Sequence, residues 1–217
     1  MCGDAFGWER EETRCSTKWE SSVQARSVKP LPAHAARANL PVLMSNSRGP
    51  EALGEVIAAL PPGVRAVTVE RAAQAELVIL AIPFNRVPDL ASVVSDWSGR
   101  VVIDATNQFA KGAPEYSGYV DLGEDTGTEW VGRHLPGAVM VKAFNAMFAS
   151  YISPDPRHAE GRQGVFYAGD DEAACTGVNE FLTALGFAPI YVGTLHDGGR
   201  LMQLGGVLSA VHVLRQD

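Results

Sequence analysis

Short apolar runs that recur at helix-length intervals most constrain the fold of this chain. Glu76–Ile82 (ELVILAI) is nearly continuously apolar, and Arg100–Ile103 (RVVI) and Ala138–Ala143 (AVMVKA) repeat the pattern further along. Such runs are typical of parallel strands that are covered on both faces, because neither face then needs polar residues. The segments between them, for example Pro50–Leu60, carry apolar residues at helical spacing.

Strands that alternate with helices indicate right-handed crossovers and a parallel sheet with helices on both faces. The predicted fold class is therefore α/β: a Rossmann-like doubly wound parallel sheet with a small C-terminal α/β appendage. In such sheets, ligands bind at the carboxyl ends of the strands, near the point where the strand order reverses. The residues that follow each predicted strand are therefore the candidate functional residues.

The composition argues against several classes of function. The 217 residues are 46% hydrophobic and carry a formal net charge of −7, so no long-range attraction draws the chain to nucleic acid or to a membrane surface. No apolar run approaches the roughly 20 residues that a membrane-spanning helix needs. Cys2, Cys15 and Cys175 lie far apart without a CxxC pair, which favours a reducing, cytoplasmic location. Small molecules are the expected partners, and a homodimer is left open.

Four predicted strand ends carry polar side chains where a purely structural loop would need none. They are Ser45–Arg48 (SNSR), Ala81–Asn85 (AIPFN), Asp104–Asn107 (DATN) and Lys142–Asn145 (KAFN). Because ligands of parallel sheets bind at strand ends, these four segments are the candidate binding loops.

The end of the second strand of such a sheet indicates which dinucleotide is bound. An acidic residue there accepts from the 2′-hydroxyl of NAD, whereas hydroxyl groups and an arginine suit the extra phosphate of NADP. This chain has no acid at that place and offers four cofactor-binding candidates instead: Ser45, Asn46, Ser47 and Arg48. Gly49 then lets the backbone turn close to a ligand. The alternative is a solvated turn in which Ser47 caps a helix that begins at Pro50.

The chain divides into three predicted parts. Residues 1–33 show neither the helical nor the strand period and form an out-of-pattern segment. Residues 34–153 are predicted to form an NADP-binding Rossmann domain that lacks its first strand. Residues 154–217 are predicted as a small C-terminal acceptor-side region, which begins with an exposed connection and includes a helix over Leu201–Leu214.

Four motifs taken together resemble those of a known family. Val42–Glu51 (VLMSNSRGPE), Val78–Phe84 (VILAIPF), Val102–Asn107 (VIDATN) and Val141–Asn145 (VKAFN) are similar to motifs of NADP-dependent reductases related to coenzyme F420-dependent NADP oxidoreductase. Pyrroline-5-carboxylate reductase shares the nucleotide-binding domain, but it needs a long helical dimerisation domain that the C-terminal residues here cannot supply. The resemblance covers about residues 34–217 and implies a Rossmann domain that binds NADPH, with hydride passed between the nicotinamide and a second ring.

The resemblance also implies where the nicotinamide lies. Ala81, Ile82 and Pro83 would form one side of its pocket, and Thr106 and Asn107 would hydrogen-bond near its carboxamide or near the acceptor. Pro83 has the alternative role of ending its strand.

The last strand end is the predicted acceptor side. Phe144 and Asn145 are the substrate-binding candidates, although ordinary core packing is equally expected for Phe144. Lys142 either attracts an anionic acceptor or lies in solvent on an alternating strand, and Asp104 is expected to order its own loop. Hydride transfer needs two rings held face to face rather than a proton relay, so no catalytic side chain is predicted.

The glycine-rich loop GxGxxG of the family is absent from the sequence. A shift of the reading frame by one nucleotide over residues 19–33 permits it, because Trp19-Glu20 then forces a glycine codon. The following codons allow a strand, three glycines at the required spacing and a helix that runs into His34. We therefore interpret the residues before about His34 as the product of a frame error. The alternative is a genuine chain that binds dinucleotides weakly, since it lacks the usual anion site.

The five histidines are isolated in sequence and predict no metal site. Only His196-Asp197 is a pair that merits a test for catalysis. Two classes of function remain. One is an NADPH-dependent oxidoreductase with a small-molecule hydride acceptor: a deazaflavin, a flavin or a metal chelate. The other is an NADP-binding module without catalysis, or an inactive reductase.

Overall fold

The computed structural model describes residues 15–18, 30–111 and 117–216. Their strands are β1 (Cys15–Lys18), β2 (Val42–Ser45), β3 (Val64–Ala66), β4 (Leu77–Leu80), β5 (Val101–Asp104), β6 (Phe109–Lys111), β7 (Ser117–Tyr119), β8 (Val139–Ala143), β9 (Arg157–His158), β10 (Gly161–Gly169), β11 (Ala188–Tyr191) and β12 (Leu214–Arg215). Their helices are α1 (Leu31–Arg37), α2 (Gly54–Ala58), α3 (Val69–Ala72), α4 (Val87–Val93), α5 (Gly127–His134), α6 (Ala149–Ile152), α7 (Glu172–Ala184) and α8 (Asp197–Met202). Single 3₁₀ turns over Pro50–Leu53 and Phe84–Arg86 precede α2 and α4.

The main sheet has the spatial order β11-β10-β8-β5-β4-β1-β2-β3. From β3 to β8 all neighbouring strands are parallel. Strand β10 then pairs antiparallel with β8, and β11 runs parallel to β10. The strand order reverses at β1, where the chain crosses from one half of the sheet to the other. The predicted α/β doubly wound sheet is therefore confirmed.

Strand β1 corrects one prediction, that the Rossmann domain lacks its first strand. Cys15–Lys18 lies between β2 and β4 and pairs with both. The reason is that β2 and β4 are fully buried, so their facing N–H and C=O groups need a strand between them as hydrogen-bond partner. The frame-error hypothesis concerns residues 19–33, and its decisive part, residues 19–29, lies outside the described residues.

The core has two layers, one on each face of the sheet. In β4, Leu77 and Ile79 contact a cluster that includes residues of α1 and α7. The alternate residues Val78 and Leu80 contact a second cluster that includes residues of α4 and α5. A strand covered on both faces has no polar face, and this explains the continuous apolar run of its sequence.

The predicted elements mostly occur, with shifted ends. Helix α1 begins at Leu31, so the folded unit starts before residue 34. The sequence pattern predicts a helix over Val87–Trp97, but α4 ends at Val93, four residues earlier. Trp97 is fully buried, and its indole N–H donates to the carbonyl oxygen of Val94. This bond stabilises the turn that follows α4. The antiparallel hairpin β6–β7 had no sequence signal.

The C-terminal region continues the main sheet through β10 and β11 instead of forming a separate layer. The predicted helix over Leu201–Leu214 is wrong: α8 ends at Met202, and Leu214 belongs to β12. Two glycines explain the break. Gly205 has φ +84°, outside the helical region, and a side chain at Gly206 would collide with the carbonyl oxygen of Leu201. Among the described residues, no helix is long and apolar enough to span a membrane.

Candidate functional site

Two cavities lie at the carboxyl ends of the parallel strands. The first, of about 450 Å³, is lined by Ser45, Asn46, Ser47, Gly49, Thr68, Val69, Glu70, Ile82, Arg86, Asp89, Leu90 and Val93. The second, of about 430 Å³, is lined by Ala81, Ile82, Pro83, Phe84, Ala105, Thr106, Asn107, Phe109, Phe144, Asn145, Ala146, Met147, Phe148, Leu204, Ser209 and Ala210. Ile82 lines both, so the two cavities adjoin at the end of β4.

The turn after β2 forms one wall of the first cavity. The Asn46 side-chain oxygen accepts a hydrogen bond of 2.9 Å from the backbone N–H of Arg48, a local turn that asparagine favours. Gly49 follows with φ +92°, a conformation that side-chain-bearing residues rarely adopt. Ser45, Asn46 and Ser47 line the cavity, whereas Arg48 is exposed and does not line it.

Two polar atoms of this turn are buried without a hydrogen-bond partner. Ser45 is fully buried and Asn46 is 3% exposed, yet neither Ser45 Oγ nor Asn46 Nδ2 forms a hydrogen bond within the described part of the chain. Buried polar groups in native proteins nearly always have partners. The arrangement thus presents one hydroxyl and one amide donor to a ligand.

Hydrogen bonds between distant segments build the polar wall of the second cavity. Asn107 Nδ2 donates to the carbonyl oxygen of Asn145 at 2.9 Å, and Asn145 Nδ2 lies 3.3 Å from Asn107 Oδ1. Asn145 Nδ2 also donates to the carbonyl oxygen of Met202 at 2.8 Å. Thr106 Oγ1 and Asn145 Oδ1 are buried and have no hydrogen-bond partner among residues 15–18, 30–111 and 117–216. Here too, a hydroxyl and an amide oxygen are available to a ligand.

Phe144 belongs to the core and also lines the second cavity. It is 1% exposed and packs edge-on against Phe187, with ring centroids 6.0 Å apart, so it belongs to the core. It also lines the second cavity, and its φ of +66° is rare for a bulky residue. Strained backbone of this kind is concentrated at functional sites.

Asp104 and Lys142 lie beneath the second cavity without lining it. Asp104 orders its own loop as expected, since its Oδ1 accepts from the backbone N–H of Thr106 at 2.9 Å. Both predicted roles of Lys142 are wrong, because its ammonium is 3% exposed and lies 3.0 Å from Asp104 Oδ2. Strand β8 is covered on both faces, so its alternation does not bring this lysine to solvent.

Several residues of the site were not predicted. Thr68 and Arg86 line the first cavity, and both follow strands, which is the signal that could have found them. Phe148 and Ala210 line the second cavity; Ala210 is held there by a 3.0 Å hydrogen bond from its N–H to the carbonyl oxygen of Ala146. No local sequence pattern predicts a contact over that separation.

The histidines lie outside the two cavities. His196 Nδ1 is 3.4 Å from Glu129 Oε1, and its neighbour Asp197 accepts from the Thr194 hydroxyl at 3.3 Å, so neither reaches the strand-end site. Burial lowers the pKa of His34, whose Nε2 lies 2.7 Å from the carbonyl oxygen of Ile152. Among the described residues, no group of three or more His, Cys, Asp or Glu side chains is arranged to hold a metal ion.

The comparisons with known proteins agree with this geometry. Residues 30–108 match the profile of the family described as NADP oxidoreductase, coenzyme F420-dependent. A solved hypothetical protein of Sinorhizobium meliloti, SMa0349, is 33% identical, with 96% of this chain and 98% of that chain covered and a TM-score of 0.84. Residues 30–108 therefore form a domain of the coenzyme F420-dependent NADP oxidoreductase family. The predicted resemblance is confirmed, and the cofactor of this oxidoreductase family is NADP.

Two further proteins are similar to this chain, the first in its fold. A structure from Arthrobacter sp. FB24, assigned as an F420-dependent NADP reductase, is 24% identical, covers 83% of this chain and 84% of its own, and has a TM-score of 0.67. The metalloreductase STEAP3 of Rattus norvegicus is 26% identical over 140 residues, which are 64% of this chain and 27% of that protein. The chain thus spans about a quarter of that curated relative.

The polar groups of the two cavities fit the family cofactor. Ser45 Oγ and Asn46 Nδ2 are donors that suit a phosphorylated ribose, and Thr106 Oγ1 and Asn145 Oδ1 suit a carboxamide, which both donates and accepts. Each of these atoms lacks a protein partner, so a ligand that bonds to them removes a desolvation cost.

Proposed function

We propose that the chain binds NADPH along the two adjoining cavities and passes a hydride to a small ring acceptor, such as the deazaflavin coenzyme F420 or a flavin. The observation that carries the proposal is a set of four buried polar atoms at the ends of β2, β5 and β8 that have no hydrogen-bond partner among the described residues. They occur at the sheet edge where ligands of this fold bind. Their chemistry matches the two ends of the family cofactor.

In the first cavity, the turn after β2 binds the 2′-phosphate of the adenosine half. Ser45 and Asn46 donate from buried positions, and residues 45–49 of the turn include no acidic side chain. Arg48 is exposed at the rim of the turn, from where its flexible side chain reaches a bound phosphate. Arg86 lines the same cavity, but its guanidinium is paired with Asp89 at 2.8 Å. Arg48 is therefore the arginine that distinguishes NADPH from NADH.

In the second cavity, an apolar wall and a polar wall enclose the nicotinamide ring. Ile82 and Pro83 form the apolar wall at the end of β4, and Thr106, Asn107 and Asn145 form the polar wall. The polar wall binds the carboxamide and thereby fixes the rotation of the ring, while the apolar wall excludes water from its face.

Hydride transfer asks little more of the protein than this orientation. When bound, NADPH supplies the hydride, and the acceptor takes it up with a proton from solvent. Phe144, Phe148 and Ala210 line the remaining part of the second cavity, where an aromatic acceptor stacks against the exposed ring of Phe148.

Binding is tested first, by calorimetric titration of the purified chain with NADPH and with NADH. We expect NADPH to bind at least about 10-fold more tightly, which corresponds to one well-placed phosphate interaction. Ser45→Ala and Thr106→Val should each weaken NADPH binding. Ser153→Ala is the matched control. Its exposed hydroxyl donates to the carbonyl oxygen of Ala149 in α6, and the residue lines neither cavity.

Turnover is tested second, by following oxidation of NADPH in the presence of coenzyme F420, FMN or a ferric chelate. Oxidation with one of the ring acceptors supports the proposal. Binding without oxidation by any of them would instead favour a non-catalytic NADP-binding module. If neither NADPH nor NADH binds, the printed chain is an inactive reductase, as the frame-error hypothesis predicts for a protein without the glycine-rich loop.

A further inference from the structure

A buried ion pair joins the ends of β5 and β8 directly beneath the second cavity. Asp104 and Lys142 are opposite each other in the register of these two strands, and their side chains are 0% and 3% exposed. Lys142 Nζ lies 3.0 Å from Asp104 Oδ2, which also accepts a 2.6 Å hydrogen bond from the hydroxyl of Thr128 in α5. The carboxylate therefore has partners in two other elements, β8 and α5.

The same pair holds the backbone of Thr106 from both sides. The N–H of Thr106 donates to Asp104 Oδ1 at 2.9 Å, and its carbonyl oxygen accepts from Lys142 Nζ at 2.7 Å. With both peptide groups fixed, Thr106 has little freedom to turn about its backbone. Its own hydroxyl is buried, lacks a partner and belongs to the lining of the second cavity.

Stability alone does not account for such a pair. Removing two charges from water is costly, and buried ion pairs can often be replaced by apolar residues without loss of stability. The pair instead orients one residue, because two of its four hydrogen bonds are made with the backbone of Thr106, which lines the second cavity. Charged groups form stronger and more directional hydrogen bonds than neutral ones.

We propose that Asp104 and Lys142 are positioning residues, which fix Thr106 so that its hydroxyl meets the carboxamide of the nicotinamide ring. This inference rests on the proposed function, because it assigns the second cavity to the nicotinamide. It adds two residues that touch no ligand and act only through Thr106. Preorganised binding groups are held in place by such supporting contacts.

The test separates the nicotinamide half of the cofactor from the rest. Calorimetry measures the dissociation constants of NADP⁺ and of 2′-phospho-ADP-ribose, which lacks the nicotinamide. For Lys142→Met we expect the constant for NADP⁺ to rise about 10-fold or more and the constant for the fragment to change less than about 2-fold. Thr128→Val is the matched control: it removes a hydrogen bond from the same carboxylate without touching Thr106, and should leave both constants within about 2-fold.

Lys142→Met leaves the Asp104 carboxylate buried without its cation, so this variant could lose binding because it unfolds. A second variant tests the same role without that charge. Asp104→Asn/Lys142→Met leaves no unpaired charge and retains an acceptor for the N–H of Thr106, but removes the bond to its carbonyl oxygen. We expect the same selective loss of NADP⁺ affinity. Equal loss of both ligands, or loss of neither, would overturn the positioning role while the proposed function stands. If the unaltered chain binds neither ligand, both proposals fail.

Discussion

The hydrogen bonds that shape the two cavities join residues at very different separations in the sequence. The turn at the first cavity is held by its own neighbours: Asn46 bonds to Arg48, two residues away. The polar wall of the second cavity is held across 38 residues between Asp104 and Lys142, and across 57 residues between Asn145 and Met202. A locally held turn can change without disturbing the fold. A wall tied together by distant segments couples ligand binding to overall stability.

This difference leads to an ordering of mutational effects. Substitutions at the second cavity should reduce both the free energy of unfolding and cofactor affinity, whereas substitutions at the first should reduce affinity alone. Four measurements sharpen or break the comparison, in order of decreasing effect.

The largest effect is expected for Lys142→Met. The variant leaves a carboxylate buried without its cation, and its free energy of unfolding should fall by about 3–5 kcal/mol, as measured by urea denaturation. Asp104→Asn/Lys142→Met should recover part of that loss, because it leaves no unpaired charge. A loss below about 1 kcal/mol in the single variant would mean that the pair does not tie the strands together.

Asn145→Ala tests the second long-range tie. It removes the bonds to Met202 and to Asn107, and the free energy of unfolding should fall by about 1–3 kcal/mol because buried groups lose their partners. Asn179→Ala, which removes one bond to the Tyr167 hydroxyl, is the control and should have a smaller effect. Equal losses of unfolding free energy in the two variants would show that the wall of the second cavity contributes no more to stability than an ordinary hydrogen bond.

Arg48→Ala tests the locally held turn. Arg48 is exposed, so the unfolding free energy should stay within about 0.5 kcal/mol of the unaltered chain. NADPH affinity should fall about 10-fold because one phosphate contact is lost, with little change for NADH. The exposed Arg37→Ala variant controls for loss of one positive charge. Equal weakening of both nucleotides would remove the phosphate role of Arg48.

The smallest effect is a pH dependence of stability. Burial lowers the pKa of His34 below its ordinary value, so the unfolded chain takes up a proton more readily than the folded one. The contribution of neutral His34 to stability is therefore fully present above the ordinary pKa range of histidine, and it is lost as pH falls through that range. His34→Gln should reduce the drop in unfolding free energy between about pH 7.5 and 5.5, as measured by urea denaturation at each pH, and an unchanged drop would contradict this role of His34.

The contrast in range also decides what the sequence can predict. Ser45, Asn46 and Ser47 were predicted because a polar turn directly after an apolar strand is a local pattern, and they line the first cavity. Ile82 and Thr106 were found in the same way. Lys142 was misread, because its pairing with Asp104 depends on strand register and not on spacing. Ala210 was missed for the same reason.

Backbone effects account for most of the errors in the fold. The helix over Leu201–Leu214 fails at Gly205, where a positive φ ends helical geometry. Strand β1 was not predicted because Cys15–Lys18 has a weak pattern of its own, and the need for it comes from the two buried strands on either side. The first error arises from glycines within the segment itself, and the second arises from the strands on either side of it.

Amide hydrogen exchange with and without NADPH tests the central claim most directly, because it locates the ligand on the chain. Binding across both cavities predicts slower exchange at residues 45–49, 104–107 and 144–147 on addition of NADPH, and little change at the Tyr167 and Tyr191 cavity on the far edge of the sheet. Protection confined to that far cavity, or absent from all three strand ends at saturating NADPH, would contradict the account.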